Sequence, residues 1–237
     1  MKKHKPDQSV SVPQRAKIEY DLTISEFPWS EKQKELIEII NDKATKFVFV
    51  LGPAGSSKTM IGVYTALKAM QARRISDIVY VRQPVESSKF NIGYLKGDIQ
   101  EKLTPYAQPL EDKLGEFLTP SSIRKLKDDS RIDCVPVGHM RGRSFNAKYI
   151  LVDEAQNLAY EDFLLVMTRL GKHSKMIIGG DMMQPDIKNS AFQKVASLFD
   201  DEESRSRGIR VFRFGKEDIF RDESLSYVIE KFEGCPN

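Results

Sequence analysis

The stretch Gly52-Pro53-Ala54-Gly55-Ser56-Ser57-Lys58-Thr59 has the residue types and spacing of a phosphate cradle. Gly52 and Gly55 permit backbone turns that a Cβ resists, so successive N–H groups can converge on one anion. A helix starting near Lys58 would add the positive end of its dipole. Lys58 brings a mobile charge suited to the β- and γ-phosphates of a nucleoside triphosphate, and Thr59 a hydroxyl suited to Mg²⁺. Gly52, Pro53, Ala54, Gly55, Ser56, Ser57, Lys58 and Thr59 are therefore expected to hold the phosphates. One position departs from the pattern G-x-x-x-x-G-K-[ST]: Ser57 stands where glycine is usual, and its Cβ is expected to crowd the phosphates or slow turnover. The competing reading is a plain Gly/Ser turn between a strand and a helix.

Tyr149-Ile150-Leu151-Val152-Asp153-Glu154 runs from apolar residues into two adjacent carboxylates, with Asp153 lying 95 residues after Lys58 (153 − 58). A buried strand would deliver Asp153 beside the metal, to hold Mg²⁺ through water. Glu154 would then orient and deprotonate an attacking water. Without a phosphate loop, the same pair would read as a cap on the following helix. Farther along, Gly180-Asp181-Met182-Met183-Gln184 follows another apolar run. Gln184 is expected to sense the γ-phosphate by hydrogen bonding; a polar turn is the alternative.

These side chains need a scaffold, and the hydrophobic pattern supplies one. Strands are expected at Phe47–Leu51, Ile78–Arg82, Ile132–Val137, Tyr149–Asp153, Lys175–Gly179 and Ile209–Phe214. Helices are expected at Gln33–Ile40, Lys58–Met70, Gly97–Leu118 (broken near Thr104-Pro105), Tyr160–Leu170, Ser190–Phe199 and Leu225–Phe232. The acidic run Asp200-Asp201-Glu202-Glu203, followed by Arg205 and Arg207, reads as a solvated loop. Strands alternating with helices imply an α/β fold, a mostly parallel sheet with helices on both faces. Ligands of such sheets bind beyond the carboxyl ends of the strands.

Composition narrows the class. The 237 residues suffice for a substantial core, and a net charge of +3 does not by itself name a nucleic-acid partner. No apolar run approaches the roughly 20 residues that span a bilayer, so no membrane role is expected. Cys134 and Cys235 form no C-x-x-C pattern, which fits a reduced cytoplasmic setting. Residues 1–25 begin with a basic stretch, Lys2, Lys3, His4 and Lys5, without an apolar segment after it; they read as a disordered tail ahead of one domain over 26–237. His139 and His173 lack ligand spacing, and no structural metal is expected.

Together the three motifs resemble the nucleotide-binding domain of superfamily-one helicases, a RecA-like P-loop NTPase core. The text between them resembles the PhoH family in particular. The resemblance is carried by Arg82-Gln83-Pro84-Val85-Glu86, by Ile92-Gly93-Tyr94-Leu95-Lys96-Gly97-Asp98 continuing to Pro109-Leu110, by Met140-Arg141-Gly142-Arg143-Ser144-Phe145, and by Asp153-Glu154-Ala155-Gln156-Asn157 with Thr168-Arg169-Leu170-Gly171. It runs from about Gln33 to Phe232. Ser56-Ser57 replaces the family's usual Thr-Gly, and Gln83 is an extra residue inside its Arg-Pro. The resemblance implies a cytoplasmic ATP-binding protein with ATPase activity, a helicase-like core and an RNA-related role. The family includes short phage-encoded members, for which the setting is the host cytoplasm. No PIN nuclease domain is expected, because the region before Gln33 is short.

The resemblance also implies roles for Gln33 and for a late arginine, and position adds further candidates. Gln33 stands where such helicases place a glutamine against adenine, with Phe27 or Trp29 near enough to stack; an exposed helix-start residue is the alternative. A superfamily-one helicase closes its site with an arginine from a second domain, and only one domain fits here. An arginine from another subunit is therefore expected, Arg221 first, in a homo-oligomer for which a hexameric ring is one form; a helix-start salt bridge is the alternative for Arg221. Arg141 and Arg143 are rivals, expected near the nucleotide or on a phosphate backbone. Lys89, Lys96 and Lys102 around Tyr94 suit single-stranded nucleic acid or a solvated surface. The expected activity is thus Mg²⁺-dependent ATP hydrolysis coupled to RNA or single-stranded DNA, and the alternative is an ATP-binding switch or scaffold with negligible turnover.

Overall fold

Runs such as Phe47–Leu51 and Asp77–Arg82 are apolar or aromatic at nearly every position. An amphipathic strand would alternate; one apolar throughout needs cover on both faces, which parallel sheets obtain from crossover helices. A computed structural model describes residues 22–83, 99–181 and 191–219, the side chains of 99–106 excepted. Its strands are β1 (Phe47–Leu51), β2 (Asp77–Arg82), β3 (Ile132–Pro136), β4 (Lys148–Asp153), β5 (Lys175–Gly180) and β6 (Ile209–Arg213). They form a 6-stranded sheet in the order β3-β2-β4-β5-β1-β6, with every neighbouring pair parallel.

The helices divide between the two faces. Helices α1 (Glu31–Asn41), α2 (Lys58–Gln71), α3 (Ile99–Gly115) and α4 (Pro120–Asp128) pack on one side. There Leu36, Ile61, Leu67, Leu114 and Leu126 meet Val48, Val50, Ile78, Tyr80, Tyr149 and Leu151 of the strands. Helices α5 (Tyr160–Met167) and α6 (Phe192–Leu198) cover the other side, where Phe163, Val166 and Val195 meet Phe49, Leu51, Val79, Ile150 and Ile178. Successive residues of one strand thus enter opposite cores, as a repeat of two requires. This is the doubly covered α/β sheet that the pattern implies.

Two local expectations are corrected, and one helix is added. Helix α3 continues through Pro105 and Pro109 without the break expected near Thr104-Pro105. After it a separate helix, α4, starts where Thr119 caps Ser122 N–H and Pro120 takes the first turn; Thr-Pro was the available signal. The run expected to be a loop forms a short helix, α7 (Glu202–Ser206), because the Asp201 carboxylate accepts from Ser204 N–H. The helix expected at Leu225–Phe232 lies outside the described residues.

Charged residues pin the strand ends away from the loops that follow them. Asp77, first in β2, is 2% exposed and pairs with Lys148, first in β4, and with Arg131 just before β3. The Lys175 ammonium, first in β5, donates to the carbonyls of Ile40 and Asp42 and so ties the sheet to the end of α1. Burial lowers its pKa to about 8, against the raising influence of Asp42. Between that value and the ordinary 10.5, the unfolded chain binds more protons than the folded one, so this residue makes stability rise with pH. Wild type is expected to gain on Lys175→Met between pH 7.5 and pH 10, as read by urea denaturation of both proteins at each pH; an unchanged difference would remove Lys175 from the pH dependence.

Candidate functional site

The loop after β1 is shaped by two constraints. A Cβ on Gly52 would stand 2.7 Å from Cβ of Phe214, whose N–H bonds back to Leu51 carbonyl, so β6 leaves room only for glycine. Gly55 adopts φ 89°, a left-handed conformation that favours glycine. Ser56 is fully buried and its hydroxyl donates to Pro53 carbonyl at 2.8 Å. Ser57, which precedes α2, sits at φ 63° and ψ 22° and makes no capping bond. The usual glycine is therefore replaced at a position that still requires the left-handed backbone, at a cost of about 1–2 kcal/mol for an L-residue.

The loop wraps a cleft of about 490 Å³ at the carboxyl ends of the strands. Ala54, Gly55, Ser57, Lys58 and Thr59 line one part of it, and Asp153 and Glu154 line another. The Lys58 ammonium donates to the carbonyls of Gly52 at 2.8 Å and Pro53 at 2.7 Å, which holds it within the loop's own curve. Strand β5 separates β1 from β4, yet Thr59, in the first turn of α2, bridges the gap. Its hydroxyl donates to Asp153 Oδ1 at 2.8 Å. Because the threonine gives its proton to the carboxylate, its oxygen lone pairs remain available to a cation. A hydroxyl and a carboxylate are hard oxygen donors of the kind Mg²⁺ takes. The other oxygen, Asp153 Oδ2, accepts at 2.6 Å from the hydroxyl of Tyr80 on β2.

A second set of bonds joins the strand ends. Asp181 Oδ2, just after β5, accepts from Ala54 N–H at 2.8 Å, so this loop amide is spent within the protein. The N–H of Asp181 donates to Gln156 Oε1 at 2.9 Å, and Gln156 Nε2 donates to Glu154 Oε2 at 2.5 Å. Glu154 has φ 53°, an uncommon backbone for a residue with a Cβ, and its other oxygen lies 3.7 Å from the Arg82 guanidinium at the end of β2.

The structure brings together Gly55, Ser57, Lys58, Thr59, Asp153 and Glu154, as expected, and adds Tyr80, Arg82, Gln156 and Asp181. Phe27 lines the cleft and packs against Trp29 at 4.8 Å, so of the two aromatic candidates it is the one facing the site. Lys113 in the last turn of α3 and Glu116 just after that helix also line it, which spacing gave no means of anticipating.

Gln33, Arg141 and Arg143 lie away from the cleft lining. Gln33 is neither exposed nor on the cleft: it is fully buried, its Oε1 accepting from Ser30 N–H while Ser30 Oγ accepts from Gln33 N–H. That reciprocal helix-start box explains its position, though its Nε2 has no hydrogen-bond partner among the described residues. Arg141 and Arg143 do not line the cleft. Arg143 pairs with Asp133 on edge strand β3 at 2.6 Å and lies over the Phe145 ring, a structural use of its charge. Gln184 and Arg221 lie outside the described residues, as do Lys89, Tyr94 and Lys96, and the side chain of Lys102 is not described.

A family model described as PhoH-like protein matches residues 27–233. The PhoH-like protein of Synechocystis sp. (strain ATCC 27184 / PCC 6803 / Kazusa) is 32% identical over 209 residues, 87% of this chain and 62% of that protein. That of Mycobacterium tuberculosis (strain ATCC 25618 / H37Rv) is 32% identical over 205 residues, covering 86% and 57%. That of Bacillus subtilis (strain 168) is 33% identical over 191 residues, covering 81% and 59%. The chain thus spans about three-fifths of the length of these curated relatives. Among solved structures, the Pif1 helicase from Candida albicans aligns with 88% of this chain and 44% of its own at TM-score 0.41 and 14% identity. The flagellar accessory protein FlaH from Methanocaldococcus jannaschii aligns with 89% and 77% at TM-score 0.30 and 13% identity.

The strain at Ser57 has a measurable consequence. Ser57→Gly is expected to keep stability equal or raise it by up to about 1 kcal/mol, the relieved backbone outweighing the extra freedom of glycine in the unfolded chain. Ser57→Val, β-branched in a left-handed position, is expected to lose about 1–2 kcal/mol. Denaturant melts of the three proteins measure both; a valine variant as stable as wild type would show that the strain is absent.

Proposed function

The chain belongs to the PhoH family, a group of P-loop NTPases, and from that premise we propose that it is a magnesium-dependent ATPase whose nucleotide cycle is coupled to RNA or single-stranded DNA. The observation that carries the reading is the bond from Thr59 to Asp153, which joins the phosphate loop to the acidic strand across an intervening strand. A loop that served only as a turn would have no reason to present its helix-start hydroxyl to a carboxylate 94 positions away.

In this reading Lys58 leaves the Gly52 and Pro53 carbonyls for the β- and γ-phosphates, exchanging two neutral acceptors for anionic ones. Thr59 and Asp153 hold Mg²⁺, which when bound would neutralise charge on the phosphate oxygens. Glu154 takes the proton from a water whose oxygen bonds to the γ-phosphorus as the bond from that phosphorus to the β–γ bridging oxygen breaks, ADP leaving with the electron pair; Gln156 holds the carboxylate in place. Gln184 senses the γ-phosphate. Phe27 offers a face for the base, with Trp29 behind it. Arg221 of a neighbouring subunit supplies the transition-state charge, in a homo-oligomer, a ring by preference. We place the protein in the cytoplasm, that of the host if a phage encodes it.

A second reading is an ATP-loaded switch or scaffold that turns over negligibly. Two observations favour it: the strained Ser57 at the glycine position, and the approach of Arg82 and Gln156 to both oxygens of Glu154.

Turnover and binding separate the two readings. Lys58→Ala is expected to abolish uptake of Mg-ATP measured by calorimetry. Glu154→Gln is expected to keep that uptake and lower the hydrolysis rate by about 10²–10⁴-fold, the usual contribution of a general base. RNA or single-stranded DNA should raise the wild-type rate, and native mass spectrometry should find an oligomer. Equal idleness of wild type and Glu154→Gln, with ATP bound by both, would establish the scaffold. Uptake unchanged by Lys58→Ala would end both readings.

A further inference from the structure

We propose that Tyr80 is a positioning residue for the metal site: its hydroxyl fixes the Asp153 carboxylate in the orientation that Thr59 and Mg²⁺ require. The inference rests on the magnesium-nucleotide reading of the cleft and adds to it a residue from a strand that carries none of the three sequence motifs.

The placement follows from sheet register. Strand β2 lies beside β4, with Tyr80 opposite Leu151 and Arg82 opposite Asp153. Paired residues of a parallel ladder share a face, so Tyr80, Leu151 and Asp153 all face the α2 side. A side chain of ordinary length at position 80 would end against Leu151. Tyrosine is long enough to run along the strand and reach the carboxylate two positions farther on, where its hydroxyl lies 2.6 Å from Oδ2. The ring is 1% exposed and belongs to the α2-side core, so packing holds the phenol in place.

Asp153 is thereby gripped by one hydroxyl on each oxygen, Thr59 on Oδ1 and Tyr80 on Oδ2. One bond alone leaves a carboxylate free to turn about its last torsion, which is broad. Two bonds from different elements fix its plane. They also direct the oxygen shared with Thr59 toward the cleft, where a cation would meet both groups. Hydrogen bonds to metal-binding side chains orient them in this way, and removing one costs about 10–100-fold in metal affinity. A buried tyrosine also needs a partner for its hydroxyl on purely structural grounds. Tyr149 supplies that comparison: it is equally buried, and its hydroxyl is 2.6 Å from Thr65 Oγ1 within the core, away from the carboxylates.

The test is the magnesium requirement. Wild type, Tyr80→Phe, Tyr80→Met and Tyr149→Phe are titrated with MgCl₂ in the presence of ADP, and nucleotide uptake is followed by calorimetry and by the shift of the melting transition. Tyr80→Phe and Tyr80→Met are expected to need about tenfold more Mg²⁺ for half-maximal uptake, while Tyr149→Phe keeps the wild-type requirement. A wild-type requirement in whichever Tyr80 variant folds, whatever its melting temperature, would reduce Tyr80 to a core residue and overturn the proposal. So would an equal shift in Tyr149→Phe. If wild type itself takes up no magnesium-nucleotide, the reading of the whole cleft falls, an outcome distinct from failure at Tyr80 alone.

Discussion

A phosphate loop and an acidic strand are of use to each other only where they meet, and in this sheet the strands that carry them are not neighbours. Strand β5 lies between β1 and β4. At about 4.8 Å per strand step, the two chain ends emerge roughly 10 Å apart. The gap is closed by the first turn of α2, which starts directly after the loop and aims Thr59 at Asp153. Every feature around the cleft serves that junction. Gly52 admits Phe214, Ser57 takes the backbone left-handed so that α2 can start, and the end of β5 fills the middle with Gly180 and Asp181.

The carboxylates at this junction are held by different partners. Asp153 receives two hydroxyls and faces α2. Glu154, the next residue, turns through a left-handed backbone and receives an amide from Gln156 and a guanidinium from Arg82. Adjacent acids on one strand end are thus given separate surroundings by a single change of backbone conformation. The proposed division of labour between a cation and a water rests on that difference in surroundings. It also links the loop to the strand ends, since Ala54, Asp181, Gln156 and Glu154 are joined in an unbroken run of hydrogen bonds.

Serine at position 57 shows how a departure from a motif is read physically. Its backbone keeps the conformation that glycine would adopt freely, so the loop retains its shape and the serine carries the strain. At the opposite end of the sheet Asp77, Arg131 and Lys148 form a charge cluster, and Lys175 anchors α1. Ligands of parallel sheets sit at the carboxyl ends, the end at which Ser57 stands.

Most of the scaffold was legible in the residues themselves. The continuous apolar runs announced buried parallel strands, and the phosphate loop, the acidic pair and the resemblance to PhoH proteins located Lys58, Thr59, Asp153 and Glu154. These signals are local: each depends on neighbours in the chain or on a short fixed spacing. Missed were contacts made across strands and helices. Tyr80 reads as one more core aromatic until register puts it two positions below Asp153. Nor does spacing show that Ser30 N–H pairs with Gln33 Oε1 or that Asp133 pairs with Arg143. A side chain's type and spacing state which bonds it is able to make. Which of them it makes depends on what the sheet order and helix packing bring within about 3 Å, and that was decided only by the tertiary structure.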